Sequence, residues 1–159
     1  MDATRLIVAN RQALAQATDV AAVIAEVWQA QALAQAVGAC LAARGDPALR
    51  DAARALCLAG GRARDTAQSQ GARSPVIRAA RLTGVRDPAA VLRRLLALLA
   101  ETGAAVATLA CTTEDERVYW QCIDALDATD ETKDRVRALL RQYGARRPEP
   151  PEEPPPAPP

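Results

Sequence analysis

Between Val20 and Ala43 the chain carries a single charge, Glu26. No other feature restricts the fold as strongly. An advance of about 100° per residue places Val20, Val23, Ile24, Val27, Ala34, Val37 and Leu41 on one stripe. The other side is scarcely less apolar: Ala22, Ala25, Ala32 and Ala36, with Gln29 among them. A helix that lacks a charged face must be covered on most sides. The stretch predicts a central helix over about 20–43, with Asp19 as N-cap and Gly45 past its end.

A second central helix is predicted over about 88–111. Asp87-Pro88 supplies a cap followed by proline at the first helical position. Val91, Leu92, Leu95, Leu98, Leu99, Thr102, Val106 and Leu109 form its main stripe, and Ala97, Ala100, Ala104 and Ala107 form a flat second one. Two packable sides place this helix beside the first, because small side chains let helix axes approach. The same alanine stripes suit a homodimer, in which they meet across a two-fold axis.

The remaining helices follow from caps and period. One starts after Asp2 and runs to about Ala17, with Leu6, Ile7, Ala13 and Leu14 inward. Asp46-Pro47 opens another over about 47–59, with Leu49, Ala52, Ala53 and Leu56 inward. Gly60-Gly61 is expected to stop or kink it, leaving Arg62 to Arg73 as a loop or weak extension. Ser74-Pro75 opens a short helix over 75–82.

The last helix is predicted over about 114–143, with Thr113 and Glu116 as a capping box and Gly144 as the residue past its end. Val118, Tyr119, Cys122, Leu126, Val136, Leu140 and Tyr143 share its apolar face. Thr129 and Lys133 interrupt that face, and Trp120 falls on the opposite, acidic side.

Aromatic residues are 3% of the chain, Phe is absent, and β-branched residues never alternate with polar ones, so no strand is expected. The fold class is all-α: a bundle of four long helices with an N-terminal helix and a short one, in a single domain over 1–147. Residues 148–159 hold eight Pro, three Glu and one Ala. That composition predicts a disordered or polyproline-II tail, and Pro151 to Pro154 has P-x-x-P spacing.

Several chemistries are excluded. The chain has no histidine, which removes Ser-His and Cys-His nucleophile pairs, Glu-x-x-His di-iron sites and His-containing zinc sites. No P-loop or dinucleotide-binding glycine fingerprint is present. Cys40, Cys57, Cys111 and Cys122 stand apart, outside any C-x-x-C pair, and read as small buried hydrophobes. The expectation is a protein without catalytic residues or cofactor. The opening MDATRLIVANRQ has no signal-peptide pattern, and the apolar window Leu95 to Cys111 is read as a buried helix rather than a membrane span. The cytoplasm is the expected compartment.

Three groups of residues remain as candidates. Asp124, Asp127, Glu131 and Asp134 are the only carboxylate set that could serve Mg²⁺ phosphohydrolysis. Such sites need pairs from two facing helices, and the other long helices offer only Glu26 and Glu101, so a solvated face is the simpler reading. Eleven arginines lie between Arg44 and Arg94 against four aspartates. Arg50, Arg54, Arg78, Arg81, Arg93 and Arg94 are the candidates for a phosphate- or nucleic-acid-binding patch, without interleaved aromatics for base stacking. Trp28 and Trp120 are the candidates for a protein interface; on the acidic face, Trp120 is either covered by another helix of the chain or exposed as an anchor for a partner.

Met1-Asp2-Ala3 with Arg5-Leu6-Ile7, Trp28-Gln29-Ala30-Gln31-Ala32 and Tyr119-Trp120-Gln121-Cys122-Ile123 together resemble an actinobacterial family of single-domain all-helical proteins of unknown function. The resemblance covers roughly the first 145 residues and implies the fold but no activity. The reading that results is a non-enzymatic cytoplasmic module working through contacts with a protein partner.

Overall fold

The computed structural model describes residues 1–69 and 76–146, without the side chains of 66–69. Five helices account for nearly all of them: α1 (Ala3–Gln16), α2 (Val20–Arg44), α3 (Arg50–Ser69), α4 (Pro88–Thr112) and α5 (Glu116–Ala145). Among the described residues there is no strand, only an isolated bridge between Asp2 and Gly84. The predicted tail and its P-x-x-P spacing lie outside the described residues.

Aspartate starts every helix. Asp2, Asp19, Asp87 and Asp115 accept from the amides of Thr4, Ala22, Ala90 and Arg117 at 2.8–3.0 Å. Asp46 accepts from Ala48 and opens a 3₁₀ turn, Pro47–Leu49, that leads into α3. A carboxylate here satisfies an orphan amide and meets the positive end of the helix dipole. The predicted Thr113 capping box is therefore corrected. Thr113 terminates α4, and its hydroxyl accepts from the Asp115 amide at 3.2 Å, setting the true cap in place. Gly144 also lies inside α5 rather than past its end.

Two other boundaries differ from expectation. Gly60-Gly61 does not break α3, which continues to Ser69. The pair marks a close approach of two helices instead. A Cβ on Gly60 would lie 2.7 Å from the Gln31 carbonyl oxygen and from the Gln35 amide nitrogen of α2. The helix predicted over 75–82 is only a 3₁₀ turn, Arg78–Arg81, whose start at Ile77 has no side-chain cap. Ser74-Pro75 lies outside the described residues.

The four long helices form a closed ring in which α2 packs on α3, α3 on α5, α5 on α4 and α4 on α2. Neighbours run antiparallel. Gly38 meets Cys57 at one level of the α2–α3 pair and Gly60 meets Gln35 at another. Arg62 pairs with Glu131, and Arg146, just past α5, pairs with Asp46, ahead of α3. α1 lies over the groove between α2 and α4, held by the Arg11–Glu101 pair. One core joins all five helices through Leu6, Leu33, Leu56, Leu95, Val136 and Leu139. Each such side chain contributes about 1.5–3 kcal/mol by burial.

The residues from Val76 to Asp87 run the length of α2 to reach α4. Gln29 holds one end: its Oε1 accepts from the Arg78 amide and its Nε2 donates to the Val76 carbonyl, both at 3.0 Å. The other end meets the N-terminus, where the Thr83 amide donates to the Met1 carbonyl at 2.9 Å and the Ala3 amide to that of Gly84 at 3.2 Å.

By length and composition α2 and α4 could each cross a membrane, with mean hydropathies of 1.3 and 1.7. In the bundle α2 is enclosed by α1, α3 and α4. The flat alanine stripe of α4 is not packed as predicted: Ala97, Ala100 and Ala104 face solvent.

Candidate interaction surface

Mg²⁺ chemistry would need the carboxylates of α5 to face acids of a second helix. The buried face of α5 is Cys122, Ala125, Thr129, Thr132, Val136 and Leu139. Asp124, Asp127, Glu131 and Asp134 fall on the opposite side, with Glu131 half-buried. Glu131 pairs with Arg62 and Arg135, and Asp134 pairs with Arg137. Among the described residues no group of three or more His, Cys, Asp or Glu side chains could hold a metal ion.

Thr129, one of the two interruptions of the apolar face, has a structural role that it shares with Thr132. Gln31 of α2 is fully buried and reaches diagonally across the bundle. Its Nε2 donates to Thr129 Oγ1 at 3.3 Å, and its Oε1 accepts from Thr132 Oγ1 at 2.8 Å. The amide is satisfied on both ends, as a buried polar group must be. This is a structural network without an opening to solvent.

The arginine candidates divide. Arg78 is only partly exposed, and its guanidinium is engaged. Its Nε donates to Asn10 Oδ1 at 2.6 Å and its Nη2 to Glu26, tying the connecting segment to α1 and α2. It therefore leaves the basic patch. Arg50, Arg54, Arg81, Arg93 and Arg94 are exposed. Arg50 and Arg54 start α3 while Arg93 and Arg94 start α4, so all four lie at the same end of the bundle, on helices that are not ring neighbours. Arg93 also lines a hollow of about 480 Å³ with Leu140, Tyr143 and Arg146. Burial, and secondarily Asp46, pushes the Tyr143 hydroxyl pKa up, and Arg146 opposes the shift.

The two tryptophans differ. Trp28, expected at an interface, is buried against Ala63 of α3 with Ile24 and Ala128 around it. Ala63 of α3 and Ala128 of α5 are small enough to leave room for the indole. Trp120 is 56% exposed and Tyr119 is 40% exposed. Their rings meet edge to face, 5.4 Å apart at 78°. Edge-to-face contact is a geometry that the ring quadrupoles favour. The pair lies at the start of α5, at the opposite end of the bundle from Arg93 and Arg94.

A protein-family model spans residues 1–142, from the N-terminal residue through nearly all of α5. The chain belongs to DUF6099, a family of unknown function. No curated protein and no solved structure matches it. The DUF6099 match includes all five helices, both tryptophans, Gln31 and the connecting segment, and it ends before the proline-rich residues. Membership agrees with the resemblance drawn from the sequence in extent, and it assigns no activity to any residue.

Proposed function

We propose that the chain is a non-enzymatic, cytoplasmic protein–protein interaction module. The observation that carries this reading is Trp120, more than half exposed and braced by Tyr119 on the outer face of α5. A soluble domain gains nothing in stability from an indole left in water, whereas a rigid exposed aromatic is the usual anchor of an interface. The ion pairs of Glu131 with Arg62 and Arg135, and of Asp134 with Arg137, are consistent with the same reading, since they tie those carboxylates to neighbouring arginines. Self-association is one form the contact can take, and the solvent-facing alanines of α4 would allow it.

The experiment is co-purification of the tagged full-length protein from its native cytoplasm, with and without nuclease. The expected result is a discrete set of proteins that survives nuclease and is lost with Trp120→Ala. Partners indifferent to Trp120→Ala would overturn the assignment. The second reading, a phosphate- or nucleic-acid-binding module, is favoured by the exposed arginines at one end of the bundle. It predicts nucleic acid in the eluate and binding that falls steeply with salt.

A further inference from the structure

The chemistry of the partner can be read from what surrounds Trp120. From Glu114 to Asp130 there are six carboxylates and one base, Arg117. Three of the six are engaged. Asp115 caps α5, Asp130 pairs with Lys133 at 2.7 Å, and Asp124 has an interaction of its own. Glu114, Glu116 and Asp127 have no ion pair among the described residues and are exposed.

At about 100° per residue, Glu116 and Asp127 fall within about 40° of Trp120 around the helix. Both therefore flank the indole on the same face. Further along this face the acids are paired: Glu131 with Arg62 and Arg135, and Asp134 with Arg137. Among the described residues, the carboxylates of this face without an ion pair, Glu116 and Asp127, thus lie in the half of α5 that bears the aromatic pair.

We infer that this surface docks an arginine- or lysine-bearing segment of a partner protein. The faces of the indole and phenol rings attract a cation, and Glu116 and Asp127 supply the counter-charge beside them. An acidic segment would meet repulsion. A wholly apolar one would strip water from two carboxylates without replacing it. The inference rests on the interaction reading above and adds the sign of the partner.

The test uses the full-length protein and two fluorescein-labelled, end-blocked nonapeptides, three repeats of Ala-Arg-Leu and three repeats of Ala-Glu-Leu, followed by anisotropy. The Arg peptide is expected to bind and the Glu peptide not to. Trp120→Ala should weaken the Arg peptide by about tenfold. Glu116→Gln with Asp127→Asn should weaken it by about threefold at low salt, a difference that shrinks as salt rises. All three side chains are exposed, and circular dichroism of the variants checks that the helices persist. Equal binding of the two peptides, or Arg-peptide binding unchanged by the charge variants, would overturn the inference. If co-purified partners still depended on Trp120 in that case, the interaction reading would stand and only the charge assignment would fall. Growth of the protein alone into larger species with concentration, lost with Trp120→Ala and without Arg-peptide binding, would replace the basic partner with a second copy of this chain.

Discussion

Gly38 of α2 touches the backbone of Cys57 on α3: a Cβ built on the glycine would sit 2.5 Å from the Cys57 amide nitrogen and 2.8 Å from the Ala53 carbonyl oxygen. Gly60 returns the same contact from α3 to α2. Backbone atoms in two packed helices cannot swing aside as a side-chain tip can. Gly38→Ala and Gly60→Ala are each expected to lower stability by about 2 kcal/mol, although alanine is the better helix former by about 1 kcal/mol. Gly144 has open space around it, and Gly144→Ala should raise stability by about 0.5 kcal/mol. Urea denaturation of the three variants reads the ordering, and equal responses at Gly38 and Gly144 would contradict it.

Gln31 sets a second test. Thr132→Val removes the donor to Gln31 Oε1 and leaves a buried acceptor unpaired. The expected loss is about 1–3 kcal/mol. Gln31→Leu alone should be costly as well, because it strands both threonine hydroxyls from their cross-bundle partner. The double variant Gln31→Leu with Thr132→Val should lose less than the sum of the two. Additive losses in denaturation would show that the network is not coupled.

Alkaline pH should weaken the fold in two stages. Burial pushes the Cys122 thiol above its ordinary 9.0. Burial, with Asp46, pushes Tyr143 above its ordinary 10.0. The folded chain therefore holds these protons more tightly than the unfolded chain, so their contribution is complete below about pH 9 and declines as pH rises beyond it. Cys122→Ala should remove the earlier part of the decline and Tyr143→Phe the later part. Thiol labelling gives an independent check: exposed Cys111 should react first and Cys122 only on unfolding. Stability that rose between about pH 9 and 11 would refute the assignment.

Arg78 pins the segment between α3 and α4, and Arg78→Met is expected to cost about 2–4 kcal/mol by leaving Glu26 and Asn10 without their partner. Adding Glu26→Gln should recover part of that loss. Amide hydrogen exchange should accelerate first over 76–82, where Gln29 and Arg78 supply the anchoring bonds. Uniform acceleration over all helices would mean that Arg78 supports the core as a whole.

The caps were legible because they are local. Asp2, Asp19, Asp46 and Asp87 each act within three residues of themselves, and the sequence placed all four. At the start of α5 two local signals overlapped, Thr113 and Asp115, and no periodicity separates residues two apart. The glycine pair was misread because Gly60 acts on Gln31 and Gln35, more than twenty residues away in sequence. A breaker and a close helix contact have the same signature until the partner helix is known. Arg78 was grouped with the basic patch for a similar reason, as its partners Glu26 and Asn10 are 52 and 68 residues distant. The face of Trp120 was legible from its angular position, but not its exposure, because whether another helix covers that face depends on packing distant in sequence. Gln31 was not singled out, but Thr129, interrupting the apolar pattern of α5, was the trace it left.

Gln31 also bears on how the bundle finds its register. α2 with α3, and α4 with α5, are two hairpins, each closed by a short turn, and each can form from contacts close in sequence. Leucine surfaces tolerate sliding, since one apolar neighbour serves nearly as well as the next. A primary amide does not. If the hairpins docked one turn out of step, a shift of about 5.4 Å, Gln31 would enter a dry interior facing Ala125 or Val136 instead of Thr129 and Thr132. The mismatched bundle would bury comparable apolar area and fail on two unmade hydrogen bonds. One glutamine thus acts as a key that admits a single alignment of two otherwise permissive halves.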